Sequence, residues 1–233
     1  MLTIWHIIAS QPDVNSVLLP TPQEVSEAAI EMTVQGVLVE DLVVSIKRVT
    51  IGFLFASVCG IVLGALLSAS TWISGLLYPV LELIRPIPPI AWIPLAILWF
   101  GIGDTPSYFI VSIGAFFPVF LSTYDAIAGV DRRFIDAARC MGASKRMLIM
   151  KVTLPAALPS ILTGLRIGLG VAWMAVVAAE LVSARSGLGY MIQLNRSLLE
   201  TARVIIGMIV IGMVGATMTT VLYRIQKILV PWQ

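Results

Sequence analysis

Long apolar runs separated by short polar stretches dominate the chain from residue 49 onward. Five runs are candidate membrane crossings: 49–70, 88–103, 106–124, 156–183 and 203–229. Four of them reach the roughly 17–25 residues that a helix needs to cross a bilayer, and the second, about 16 residues long, falls short. RPIPP leads into that second run and Pro94 lies inside it. The pattern there predicts a broken or tilted helix lying against protein, where a freed backbone carbonyl can find a partner.

Upstream of the first run the pattern is amphipathic. Thr21-Pro22-x-Glu24 supplies an N-cap, a first-turn proline and a capping-box glutamate, and Val25, Ala28, Ala29 and Met32 then recur at helical spacing. Leu38–Ile46 is a second amphipathic stretch leading into the first span. Both are expected to lie as helices on the outer face, making 1–45 an external N-terminal segment and 46–233 the membrane domain. The first 45 residues lack a basic start, an apolar core and a small-residue cleavage site, so they do not read as a signal peptide.

Residues 131–155, DRRFIDAARCMGASKRMLIMKVTLP, form a basic, helix-patterned island between apolar spans. Asp131 is the expected N-cap of a helix over 132–141, Gly142 the left-handed residue that ends it, and Ser144 the cap of a second helix that stops at Pro155. Arg132, Arg133, Arg139, Lys145, Arg146 and Lys151 make this the densest basic cluster in the chain. The positive-inside rule therefore places it in the cytoplasm, together with the C-terminal Arg224 and Lys227, and puts Lys47, Arg48, Arg185, Arg196 and Arg203 outside.

Composition turns this pattern into a class. Of 233 residues, 58% are hydrophobic and 12% charged, against roughly 25% charged in soluble domains. The expected fold is an all-α, polytopic membrane bundle of about five transmembrane helices. A net charge of +2 gives no reason to expect a nucleic-acid partner. His6 is the single histidine, which leaves no histidine-based metal site, and Cys59 and Cys140 fall at different depths and form no disulfide framework. No GxxxxGK[ST] loop occurs, so any ATP and magnesium must be bound by another chain and no cofactor is expected in this one.

Several residues are candidates for a translocation path. Arg166 lies about two turns inside the fourth long span, where it can meet an anionic solute or form an interior pair with Glu82 or Asp125. Glu180, near the other end of that span, can gate the path, orient a partner subunit, or be merely solvated. Trp92, Trp99 and Trp173 can line the path or form interfacial belts. Arg85 and Asp104 bracket the short second run as anchors. Gly164, Gly168 and Gly170 suit close helix packing or hinge motion.

The island resembles the EAA loop of ABC-importer permeases, which reads Glu-Ala-Ala, three residues, Gly, nine residues, then Ile-x-Leu-Pro. Here the matching positions are Asp136-Ala137-Ala138, Gly142 and Val152-Thr153-Leu154-Pro155, with every spacing kept. Asp for Glu and Val for Ile are the two departures. Further segments are similar to the nitrate, sulfonate and taurine branch of these permeases: Leu19-Pro-Thr-Pro22, Ser45-x-x-Arg48, the Arg85-Pro-Ile-Pro-Pro-Ile-Ala-Trp92 run, Trp99-Phe-Gly-Ile-Gly-Asp104, and Leu162 through Trp173. Members of that branch usually carry another transmembrane helix before the Leu-Pro segment, and this chain begins too close to that segment to hold it: either the helix is lost or the start is truncated.

The resemblance implies a type I ABC-importer permease fold in a bacterial inner membrane. It also implies a homodimer bound to two cytoplasmic ATPase subunits and fed by an extracytoplasmic solute-binding protein. Asp136, Ala137, Ala138, Gly142, Leu154 and Pro155 would couple it to the ATPase: the two alanines let a short helix seat deep in a groove, and Asp136 offers a carboxylate. The bland alternative is an ordinary basic loop. As to function, an ATP-driven transport subunit for a sulfonate, taurine, nitrate or bicarbonate-like anion stands against a secondary transporter driven by an ion gradient, which would need acidic residues near the bilayer midplane. An intramembrane enzyme would need a nucleophile with its base, or a metal cluster, and the sequence carries neither.

Overall fold

A computed structural model describes residues 2–11 and 18–231, and every regular element among them is helical. After α1 (Leu2–Ala9), α2 (Pro22–Val34) begins with the expected reciprocal cap. Thr21 Oγ1 accepts from the Glu24 amide at 3.3 Å, and Glu24 Oε2 accepts from the Thr21 amide at 2.7 Å. Gly36, at φ +78°, turns the chain into α3 (Val37–Ala69). Leu38–Ile46 is thus the first part of a single 33-residue helix rather than a separate surface helix. Its polar residues Asp41 and Ser45 are buried against other elements, so the stretch is amphipathic because it meets a polar core, not because it meets water.

Ser70 caps α4 (Thr71–Ile84), an element the pattern did not announce. Prolines at 86, 88 and 89 then remove three backbone donors within four positions, and the chain resumes as a 3-10 turn (Pro89–Trp92) and α5 (Ile93–Phe100). The two halves are bent by 88°. The crossing expected at 88–103 is therefore only the second half of this bent helix pair.

The remaining elements are α6 (Asp104–Ala128), α7 (Arg132–Cys140), α8 (Lys145–Leu148), α9 (Leu154–Ser183), α10 (Leu188–Ser197) and α11 (Thr201–Leu229). Four helical stretches are long and apolar enough to cross a membrane, namely 37–69, 104–128, 145–183 and 201–229, and the bent pair, if counted as one span, makes a fifth.

At the centre is α6, packed between α3 and α9. Its Val111, Ala115, Val119 and Phe120 are fully buried. Glycines on both neighbours set the spacing: a methyl at Gly52 of α3 would meet Val111 Cγ1 at 2.6 Å, and Gly164 and Gly168 of α9 face Ser122 and Val119 of α6. Between apolar helices in lipid, such close approach supplies the dispersion contact that a hydrophobic driving force cannot. Gly170, by contrast, faces open space.

Candidate functional site

At one end of the bundle, α7 and α8 form a knuckle built from local signals. Asp131 Oδ1 accepts from the Arg133 amide at 2.9 Å and starts α7. The helix ends in a Schellman motif, with the Gly142 amide on Arg139 O at 2.9 Å and the Ala143 amide on Ala138 O at 3.0 Å. Gly142 takes φ +80°, which a side chain would resist. Ser144 Oγ then accepts from the Met147 amide at 3.4 Å and opens α8.

The second knuckle helix does not stop at Pro155. Ile149–Thr153 form a wide π turn in which the Leu154 amide reaches back to Ile149 O, and α9 follows without a break. Proline lacks a donor, and its ring crowds the carbonyl four residues back; the wide turn absorbs both. The knuckle is consequently joined to α9 through unbroken helical backbone.

Around it lie exposed apolar side chains, including Phe134, Met141, Ile149, Met150 and Leu154, interleaved with exposed basic ones. Ala137 and Ala138 do not act alike. Ala137 is exposed, whereas Ala138 is buried in the chain's own knuckle, so only the first is free for a partner. Asp136 holds an exposed ion pair with Arg139 at 3.4 Å, of the kind worth little in water.

The opposite end contains a buried charge cluster that sequence reasoning missed. Arg48 of α3, only 2% exposed, donates to Glu180 Oε1 of α9 at 2.8 Å, to Asp104 Oδ1 at the start of α6 at 2.6 Å, and to Ser186 O at 2.6 Å. The Ser45 hydroxyl donates to the Glu180 carboxylate at 2.8 Å. Three successive amides at the start of α10 complete the cluster: Gly187 N donates to Asp41 Oδ1, Leu188 N to Ser45 Oγ and Gly189 N to Glu180 Oε2, at 2.6, 2.9 and 3.0 Å. A helix N-terminus receiving carboxylates is favoured both by its unpaired amides and by its dipole. Gly187 (φ +104°) leaves no space for a side chain, because a Cβ there would lie on the Glu180 carboxylate.

These contacts revise two expectations. Glu180 is 1% exposed, which removes solvation from its three alternatives, and Arg48, expected among the external charges, is buried in the bundle at 2% exposure. Asp104 is an anchor, as expected, with Arg48 as its partner. The residues that carried the signal were Ser45-x-x-Arg48, one turn apart on one helix face, and the Gly-Leu-Gly run at 187–189.

The path candidates are not gathered in one place. Trp92 and Trp99 flank Phe109, at ring-centroid distances of 6.5 and 5.9 Å, and line an apolar cavity of about 410 Å³ between α3 and α6. Trp173 lies on the other side, in the α9–α11 seam, where its Nε1 donates to Ile211 O at 3.0 Å beside a cleft of about 510 Å³. Arg166 pairs with neither Glu82 nor Asp125 among the described residues. Its guanidinium sits 5.7 Å over the Tyr223 ring of α11.

Residues 56–233 match the family described as binding-protein-dependent transport system inner membrane component. The chain belongs to that family. Over its full length it is 37% identical to the taurine transport system permease protein TauC of Escherichia coli, covering 86% of that chain. Against the nitrate import permease protein NrtB of Synechocystis it is 31% identical, covering 99% of this chain and 86% of the relative. Among solved structures, one of an amino acid ABC transporter superposes with a TM-score of 0.68 at 18% identity, over 88% of this chain and 98% of that one. That likeness is one of fold. The permease family accounts for the helical bundle and for the apolar crossings of this inner-membrane component.

Proposed function

We propose that this chain is the membrane-spanning subunit of an ATP-driven importer of a small oxyanion, of the taurine, sulfonate, nitrate or bicarbonate kind. Two copies enclose the path, an extracytoplasmic binding protein delivers the solute, and two ATPase subunits, which bind ATP and magnesium, dock on the cytoplasmic knuckle. The C-terminus lies on the same side as the knuckle. The reading rests above all on residues 131–155, where Asp136, Ala137 and the Gly142 turn stand on a rigid, exposed and partly apolar knuckle fused to α9.

The geometry supports a lever. An α-helix rises about 1.5 Å per residue, so the 30 residues of α9 span on the order of 45 Å. One end carries the knuckle and the other carries Glu180, held by Arg48 and by the α10 amides. Movement of the ATPase against the knuckle is thereby passed to the outer end, where the same helix holds α3, α6 and α10 together. The alternative of an ion-gradient transporter lacks support from Asp41 and Glu180, since both carboxylates are engaged in the cluster at the helix ends.

Reconstitution tests this. Liposomes holding the permease with its ATPase should take up radiolabelled taurine or nitrate only with ATP inside the complex's ATPase compartment and with the binding protein on the other side. Gly142→Val, strained at φ +80°, should leave ATP hydrolysis running while uptake falls about tenfold, the factor that corresponds to roughly 1.4 kcal/mol. Uptake driven by an ion gradient without the ATPase would sink the proposal.

A further inference from the structure

We propose that Arg85 is the cation that receives the oxyanion inside the permease. This rests on the importer reading above. Arg85 lies at the 88° bend of the broken span, immediately after α4. With Pro89, Gly114, Ser122, Ile167 and Val171 it lines a cleft of about 430 Å³ between the bend, α6 and α9.

Depth gives the cleft its meaning. The α6 residues that line it run from Ile113 to Ser122, the middle of a helix that extends from Asp104 to Ala128. Ile167 and Val171 are likewise central in the crossing formed by 145–183. A guanidinium held at mid-depth is costly against lipid and is placed there for a ligand, a counter-charge or a watery path. No counter-charge is paired with it: among the described residues Arg85 makes no ion pair, even with Glu82, which lines a small neighbouring cavity with it, and its side chain is exposed.

The other membrane-embedded arginines are already committed. Arg48 is saturated by Glu180, Asp104 and Ser186. Arg166 lies on Tyr223 in the α9–α11 seam. Arg85 alone of the three combines mid-depth, exposure and a cleft of the volume that small ligands occupy. Its planar fork can bond two oxygens of a sulfonate or nitrate at once, and the Ser122 hydroxyl in the same cleft supplies a further donor. One cation without a closed cage also suits transit, because the anion must leave as readily as it enters.

The test uses the complete importer in liposomes. Arg85→Gln should cut ATP-driven uptake of taurine or nitrate at least tenfold while the ATPase still co-purifies, and Arg85→Lys should retain part of it. Arg85→Cys, made with Cys59→Ala and Cys140→Ser, should react with water-soluble methanethiosulfonates. The aminoethyl reagent, which restores a positive charge, should restore uptake, and the sulfonatoethyl reagent should not. Uptake by Arg85→Gln at the unsubstituted rate, or a thiol that neither reagent reaches, overturns the inference alone. Failure of the unsubstituted complex to move any of these anions overturns the proposed function, and this inference with it.

Discussion

Arg48 and Glu180 stand 132 positions apart in the chain and meet at 2.8 Å, with both side chains withdrawn from solvent. The pair joins the early turns of α3 to the end of α9. A buried pair of this kind is weak evidence for net stabilisation, since desolvating two charges offsets most of their attraction. Removing one partner is another matter. Arg48→Ala leaves Glu180 buried against the α10 amides and strips Asp104 of its partner, and it should cost about 3–5 kcal/mol. Thermal unfolding of the detergent-purified permease measures this, and the double substitution Arg48→Met with Glu180→Leu should be closer to the unsubstituted protein than Arg48→Ala is.

Gly187 gives a sharper test of the same cluster. Its backbone, φ +104° and ψ 164°, lies in a region that side chains avoid at a cost of roughly 1–3 kcal/mol. A methyl group would also press on the Glu180 carboxylate. Gly187→Ala should therefore destabilise the protein at least as much as the backbone figure alone, whereas Gly170→Ala, facing open space in mid-helix, should be neutral or slightly stabilising. Equal unfolding temperatures for the two variants would refute the packing argument.

What the sequence revealed was local or long-running, and what it hid was distant. Thr21 with Glu24, and Asp131 with Gly142 and Ser144, are legible because each cap and its target lie within a few residues. The crossings are legible because apolar length alone announces them. Arg48 gives a weaker sign, the serine one turn before it on the same helix face: its partners at 104, 180 and 186 are joined to it only by the fold, so without them it reads as a flanking positive charge. The short helices α4 and α10 were hidden because a bend at three prolines and a glycine turn, not a periodic face, define their ends. The cleft beside Arg85 is likewise invisible in the sequence, because it is assembled from three separate elements.

Ala137 and Ala138 should separate docking from folding. Ala137 is exposed, and enlarging it to Leu should shift the permease's own stability by no more than about 0.5 kcal/mol. The same change should weaken ATPase binding, read as loss of the ATPase on co-purification. Ala138→Leu overfills the knuckle's own interior and should cost about 1–3 kcal/mol in unfolding of the isolated permease. If both variants unfold alike and both retain the ATPase, the knuckle is not the docking surface.

Pro155 tests whether the knuckle and α9 act as one body. The π turn at Ile149–Thr153 inserts one residue relative to regular α-helix, which rotates everything before it by about 100° about the helix axis. Pro155→Ala restores a backbone donor and removes the ring, so the wide turn is free to relax toward α-helical register. Relaxation would re-aim Phe134, Ala137 and Met141 relative to the bundle without altering any of those side chains. The permease itself should gain or keep stability, because a missing hydrogen bond is restored, while solute moved per ATP hydrolysed should fall several-fold. A variant that is more stable and transports with unchanged stoichiometry would show that the lever tolerates rotation, and that the wide turn merely accommodates proline.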